Sequence, residues 1–259
     1  MLGFSGVLGV LAVFEGTVFE IALSAWLVAS AILLIGTVVQ ACVGFGGNLL
    51  AVPVVVIVEP DLVPGAMLIP AFVLSAMVLA REYEHTDWAN AGIGVVGRIP
   101  GSILGALLLV SVSSDALSVV FGVLILVAVI LTASNAMVDR SVGSLLVAGV
   151  ASGFMATAVA VGGPPIALLY TDSDGPTVRT TLSAFLAAGT LVSILVLAIA
   201  GQFGVGDLAL GATLLPATLA GVALAGPMRS RIDDGSGTRL AVLALSAAAA
   251  IIAVVRGLT

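Results

Sequence analysis

The chain has 259 residues, 61% of them hydrophobic and 8% charged, with a formal net charge of −6 and a mean hydropathy of +1.31. A water-soluble domain of this length has no interior large enough to hide that much apolar surface, and eight basic residues, all arginine, against 14 acids exclude a polybasic nucleic-acid binder. The chain reads as an all-α integral membrane protein, because Ala, Leu, Val and Gly run on without the two-residue alternation of a membrane barrel.

A charged side chain near the bilayer centre costs at least about 2.5–3.5 kcal/mol, so the uncharged gaps mark the spans. At roughly 20 residues for each crossing the chain holds about eight transmembrane helices. Residues 1–20 carry Glu15 and Glu20 and no basic residue, so they lack the positive region of a cleavable leader and read as a retained N-terminal segment lying at the interface. Residues 21–58 form an uncharged stretch of 38, which as one helix would be about 57 Å long, nearly twice the hydrocarbon thickness. It has to break, and Gly44-Phe45-Gly46-Gly47-Asn48 stands in it. Helices follow at 63–80, 88–110 (with Arg98 inside it) and 115–136. Residues 141–171 are again too long for one crossing, at about 46 Å, and contain Gly162-Gly163-Pro164-Pro165. The remaining helices are expected at 178–200, 207–228 and 238–256.

The two halves share a fixed offset of 116 residues. Gly46 falls on Gly162, Gly47 on Gly163, Pro60 on Pro176, Pro100 on Pro216 and Gly105 on Gly221, without a gap. With 10 prolines in the whole chain, such coincidences at one offset indicate a tandem duplication. The expected organisation is one four-helix membrane repeat over 21–136 and a second over 141–259, each with a glycine-broken, re-entrant first element. Four crossings is an even number, which relates the repeats by an axis along the membrane normal; a broken element that changes the parity inverts the relation.

Where broken helices meet near the midplane, a half-helix N-terminus offers free N–H groups and a positive dipole end to an anion. Gly44, Gly46, Gly47, Gly162, Gly163 and Pro164 mark those places, and Asn48 adds an amide. Leucine at either glycine pair is expected to abolish transport, alanine to do less. Arg98 has two readings, a side chain snorkelling to the interface, the favoured one, or a charge that attracts anions. Thr180 and Thr181 at the start of the sixth helix either line the path or cap that helix; Gln40 and Thr157, just before the breaks, are weaker candidates. Gly92-Ile-Gly94-Val-Val-Gly97 matches a dinucleotide fingerprint but has no preceding strand, so it is set aside. Gly101 and Gly105 read as helix-packing glycines. One histidine and one cysteine build neither a metal site nor a thiol relay. No cofactor, metal or enzymatic activity is expected.

Gly44-Phe45-Gly46-Gly47 with Pro53 downstream, the second Gly162-Gly163-Pro164-Pro165, and Pro100-Gly101 to Gly105 together resemble the TauE/SafE sulfite exporter family, over about residues 20–257. His85-Thr86-Asp87-Trp88 and Arg179-Thr180-Thr181 are similar to its loop and helix starts. The resemblance implies a multipass carrier in the cell membrane for small anions such as sulfite, sulfonates, thiosulfate or small organic acids. A channel of the same duplicated architecture is the alternative. The implied partners are the anion and the lipid bilayer, with no nucleic acid; a homo-oligomer stays open. With no carboxylate or histidine deep in a span to relay protons, efflux driven by membrane potential is expected.

Overall fold

The computed structural model describes residues 22–134, 138–232 and 236–258, and contains no strand among them. The interfacial segment expected over residues 1–20 lies outside the described residues. The helices are α1 (Leu23–Val43), α2 (Gly47–Val58), α3 (Gly65–Glu82), α4 (Trp88–Ser111), α5 (Ser114–Ala133), α6 (Val142–Val159), α7 (Gly163–Ala167), α8 (Gly175–Ile199), α9 (Val205–Thr213), α10 (Leu215–Ile232) and α11 (Ser236–Leu258). Among the described residues five of them, α1, α3, α4, α6 and α8, are long and apolar enough to cross a membrane, and the bent pair α9–α10 makes a sixth. That falls short of the expected eight. Val119–Ala133 in α5 and Leu243–Ile252 in α11 are shorter apolar helices.

Local chemistry explains the helix ends. Asp87 caps α4 by accepting from the Asn90 N–H at 3.3 Å, and Ser141 with Ser144 forms a capping box on α6. Asp174 caps α8, and the Thr177 side chain and N–H hold its carboxyl below the usual range. α1 stops at Gly44 (φ +102°), and Gly46 (φ +97°) sets up α2. Both lie in the left-handed region that costs an L side chain about 1–2 kcal/mol. In the second break the left-handed residue is Ala160 (φ +58°), two positions before the glycine pair. A third break was not expected. The helix read over 207–228 divides at Leu214 with a 43° bend, and Pro216, at the second position of α10, has no N–H to continue the ladder across it.

The helices form two opposed sets. On α1, Trp26 Nε1 donates to Thr213 Oγ1 at 3.0 Å, Thr37 faces Gly221, and Cys42 Sγ lies 3.8 Å from the Ala225 carbonyl. α1 therefore runs parallel to α9–α10. On α3, Ala66 faces Gly211 and Arg81 donates to the Val222 carbonyl at 3.3 Å, so α3 runs the same way. α4, α6 and α8 run together. Gly97 and Gly105 on α4 meet the carbonyls of Leu146 and Phe154 on α6, while Gly94 meets Phe185, and Arg98 meets Gly189, on α8. The end of α3 touches the start of α8 through Glu82 and Arg179, 2.9 Å apart, and the start of α4 joins them as Asp87 N–H donates to Thr181 Oγ1 at 2.9 Å. The two sets are thus opposed, and α1 runs against α6. The same-direction relation expected of four crossings does not hold. α2 turns back along α1, bringing Gly47 beside Gly36 and Gln40, and this added reversal makes the count odd.

Candidate functional site

The two breaks meet in the interior. Asn48, in the first turn of α2, donates from Nδ2 to the carbonyl of Ala160 at 2.8 Å, and both residues are buried. That bond satisfies a carbonyl released where α6 ends, so one break supplies the partner the other needs. Ser152 Oγ likewise donates to the Gly162 carbonyl. Gln40, on the last turn of α1, accepts the Gly47 N–H at its Oε1 (3.1 Å) and donates from Nε2 to Ser75 Oγ of α3 (3.4 Å).

Between the breaks lies a cavity of about 30 Å³, room for about two waters. Gly46, Asn48 and Leu49 line it from the first break, Ala160 to Pro164 from the second, Ser75 from α3, Arg98 from α4, and Leu186 and Thr190 from α8. Arg98 is the one charged residue among those lining it. Its exposure is 0%, and a side chain that deep does not snorkel, which overturns the favoured expectation. Nη2 donates to Ser193 Oγ at 3.4 Å, but Nε and Nη1 have no partner. The guanidinium sits 5.1 Å from the centre of the Phe185 ring, a contact worth about 2 kcal/mol when desolvated. The ion pairs among the described residues join Arg140 to Asp172 and Arg179 to Glu82; neither includes Arg98. Ser193 is a hub that also receives Thr157 Oγ1 at 2.9 Å and lies 3.5 Å from Ser102 Oγ.

The structure therefore brings Gly46, Asn48, Gly162, Gly163, Pro164 and Arg98 together and leaves four expected residues off the lining. Gly44 packs against the backbone of Arg179, where a Cβ would stand 2.7 Å from Arg179 Cα. Gly47 is turned toward Gln40 and spends its N–H there. Thr180 Oγ1 bonds back to the Pro176 carbonyl at 3.0 Å, and Thr181 receives the Asp87 N–H. Ser75, Thr190 and Ser193 escaped sequence reasoning, since a hydroxyl in the middle of an apolar helix gives no signal until its neighbours are known.

The two glycines of the first break should respond differently to alanine, contrary to the uniform mildness expected from sequence. A Cβ on Gly46 meets nothing within 4 Å, so Gly46→Ala is expected to cost only the backbone strain, about 1–2 kcal/mol. On Gly47 a Cβ would stand 2.7 Å from Gln40 Oε1 and 2.8 Å from the Gly36 carbonyl. Gly47→Ala should shift α2 on α1, break the Gly47–Gln40 bond and lower the melting temperature by more. Thermal melts separate the two, and equal behaviour would contradict this geometry.

The family model described as Sulfite exporter TauE/SafE matches residues 4–252. No curated protein and no solved structure matches the chain.

Proposed function

We propose that this chain, which belongs to the sulfite exporter TauE/SafE family, carries small anions out across the cell membrane, holding each at Arg98 between the two helix breaks. One observation carries the reading. A fully buried guanidinium lines a cavity, with two nitrogens unbonded and no acid paired with it. Leaving such a group uncompensated costs several kcal/mol, and a bound oxyanion supplies both the missing charge and the missing acceptors. Asn48 and Leu49 belong to the first turn of α2, whose N–H groups lack intrahelical acceptors, and both residues line the same cavity. With room for about two waters, the cavity favours small anions; even sulfite requires it to widen a little, and larger sulfonates require more.

The reading of the chain as a duplicated unit, in inverted rather than parallel form, is supported by the pairing of helices. α4 packs on α6 as α10 packs on α1, and α11 on α2 as α5 on α7. Repeats that exchange roles about a fixed midplane site are a common basis of alternating access.

No carboxylate or histidine lines the cavity, so movement of the anion is not tied to a relayed proton. A potential of 100 mV, inside negative, is worth about 2.3 kcal/mol for each charge moved, enough for roughly a 50-fold gradient of a monoanion. Reconstituted vesicles clamped with potassium and valinomycin should show saturable anion flux that follows voltage. Flux that ignores voltage and follows the pH gradient of a non-titrating anion would reject this coupling.

A further inference from the structure

We infer that the cavity selects anions bearing one negative charge, so that of the two sulfite species it takes hydrogensulfite and refuses the dianion, along with sulfate. This rests on the anion-carrier reading above and narrows it to a substrate class. The argument is one of charge balance in a place where imbalance is costly. The lining holds a single formal charge, Arg98, at 0% exposure. The N-terminus of α2, a helix of 12 residues, adds at most about half a positive charge. Everything else on the wall is neutral. A monoanion brings the site close to neutrality, whereas a dianion leaves about half to one negative charge buried, at a cost of several kcal/mol.

The neutral groups agree with this. Ser75 and Thr190 line the cavity with hydroxyls that both donate and accept, and Gln40 contributes an amide. A protonated oxyanion, which carries an O–H of its own, finds acceptors there; a dianion has only acceptors to offer.

Protein titration does not supply the discrimination. α4 packs against α6 and α8, and α6, α7 and α2 contain no ionisable side chain. α8 contributes Arg179, which is held by Glu82 of α3. α3 also carries Arg81, bonded to the Val222 carbonyl, and α1 carries Cys42, beside the Ala225 carbonyl. None of these lines the cavity. The second proton of sulfite titrates near neutrality, so the pH dependence of binding should be that of the anion itself.

The test is a titration of the intact protein in detergent with nitrate, sulfate and sulfite at pH 6 and pH 8, read by calorimetry or melting temperature. Nitrate affinity should be the same at both pH values. Sulfate should bind at least about 100-fold more weakly than nitrate, the loss expected from about 3 kcal/mol of uncompensated charge. Sulfite, counted as total sulfite, should bind about tenfold more weakly at pH 8 than at pH 6, in proportion to the fraction in the competent form. Sulfate binding as tight as nitrate, or sulfite binding independent of pH, overturns the selectivity and leaves the anion site standing. If no anion binds, the carrier reading itself is overturned and the selectivity with it.

Discussion

Arg98→Gln should abolish anion binding and, at the same time, make the empty protein melt at a higher temperature. The two effects share one origin. In the empty site the guanidinium is fully buried, Nε and Nη1 are unbonded, and its one hydrogen bond, to Ser193, is 3.4 Å long. Each unsatisfied buried donor costs about 1–3 kcal/mol, more for a charged group, so removing the charge relieves the apo fold. A neutral amide on a shorter stem leaves Ser193 to its bonds with Thr157 and the Gly189 carbonyl and opens a small void, whose cost is less than that of a naked charge. With ligand the balance reverses. Charge-assisted hydrogen bonds contribute about 1.5–3 kcal/mol each, and loss of two corresponds to a drop of at least about 100-fold in affinity. The measurement is melting temperature in detergent with and without sulfite. A variant that melts earlier than the parent and still responds to sulfite would make Arg98 a structural residue. Arg98→Lys should fall between, because an ammonium keeps the charge but lacks the planar fork that meets two oxygens at once.

Among the described glycines that face backbone, Gly101→Ala should be the most destabilising single methyl. α4 and α6 approach closely enough that a Cβ at this position would overlap the Val150 carbonyl oxygen and stand 2.8 Å and 2.9 Å from Val150 C and Cα. The obstacle is backbone, which has no rotamer to move into. Gly149 and Gly153 on α6 face the Gly94 and Arg98 carbonyls nearly as tightly, so the helices cannot separate at one point without losing the whole seam. In a bilayer, where lipid tails are as apolar as leucine, close packing of this kind is much of what holds helices together. The expected loss is at least about 3 kcal/mol, the upper end for overpacking, seen as aggregation or a collapsed melting temperature. Gly92→Ala on the same helix is the control. Nothing lies within 4 Å of its Cβ, and alanine there should add about 0.5–1 kcal/mol through backbone entropy. Similar stability of the two variants would refute the seam.

The breaks at Gly44–Gly46 and before Gly163 were legible because length is a hard constraint: an uncharged stretch of 38 residues does not fit one crossing. The packing role of Gly101 was legible from its spacing to Gly105. The depth of Arg98 was not, since its distance along α4 from Asp87 is compatible with snorkelling. Only the arrival of Phe185, Gly189 and Ser193 from α8, nearly 90 residues later, closes the way out. The division at Leu214 was hidden for a related reason. Pro100, its counterpart at the 116-residue offset, lies inside an unbroken α4, so proline alone does not decide whether a helix divides. The direction of the second half turned on whether α2 folds back, a tertiary fact set by Gln40 and Gly36.

The pairing of α1 with α9–α10 also sets a schedule. Trp26 and its partner Thr213 are 187 residues apart, so at synthesis rates of roughly 5–20 residues per second α1 waits roughly 10–40 s in the bilayer before its partner exists. During that interval the α1 face that will meet Gly221 and Ala225 is open to lipid or to the insertion machinery. A premature stop before α9 leaves α1 permanently without that cover. A nascent chain stalled at successive lengths should therefore gain protection on the Trp26 and Thr37 face of α1 late, when the ribosome has passed Ile232.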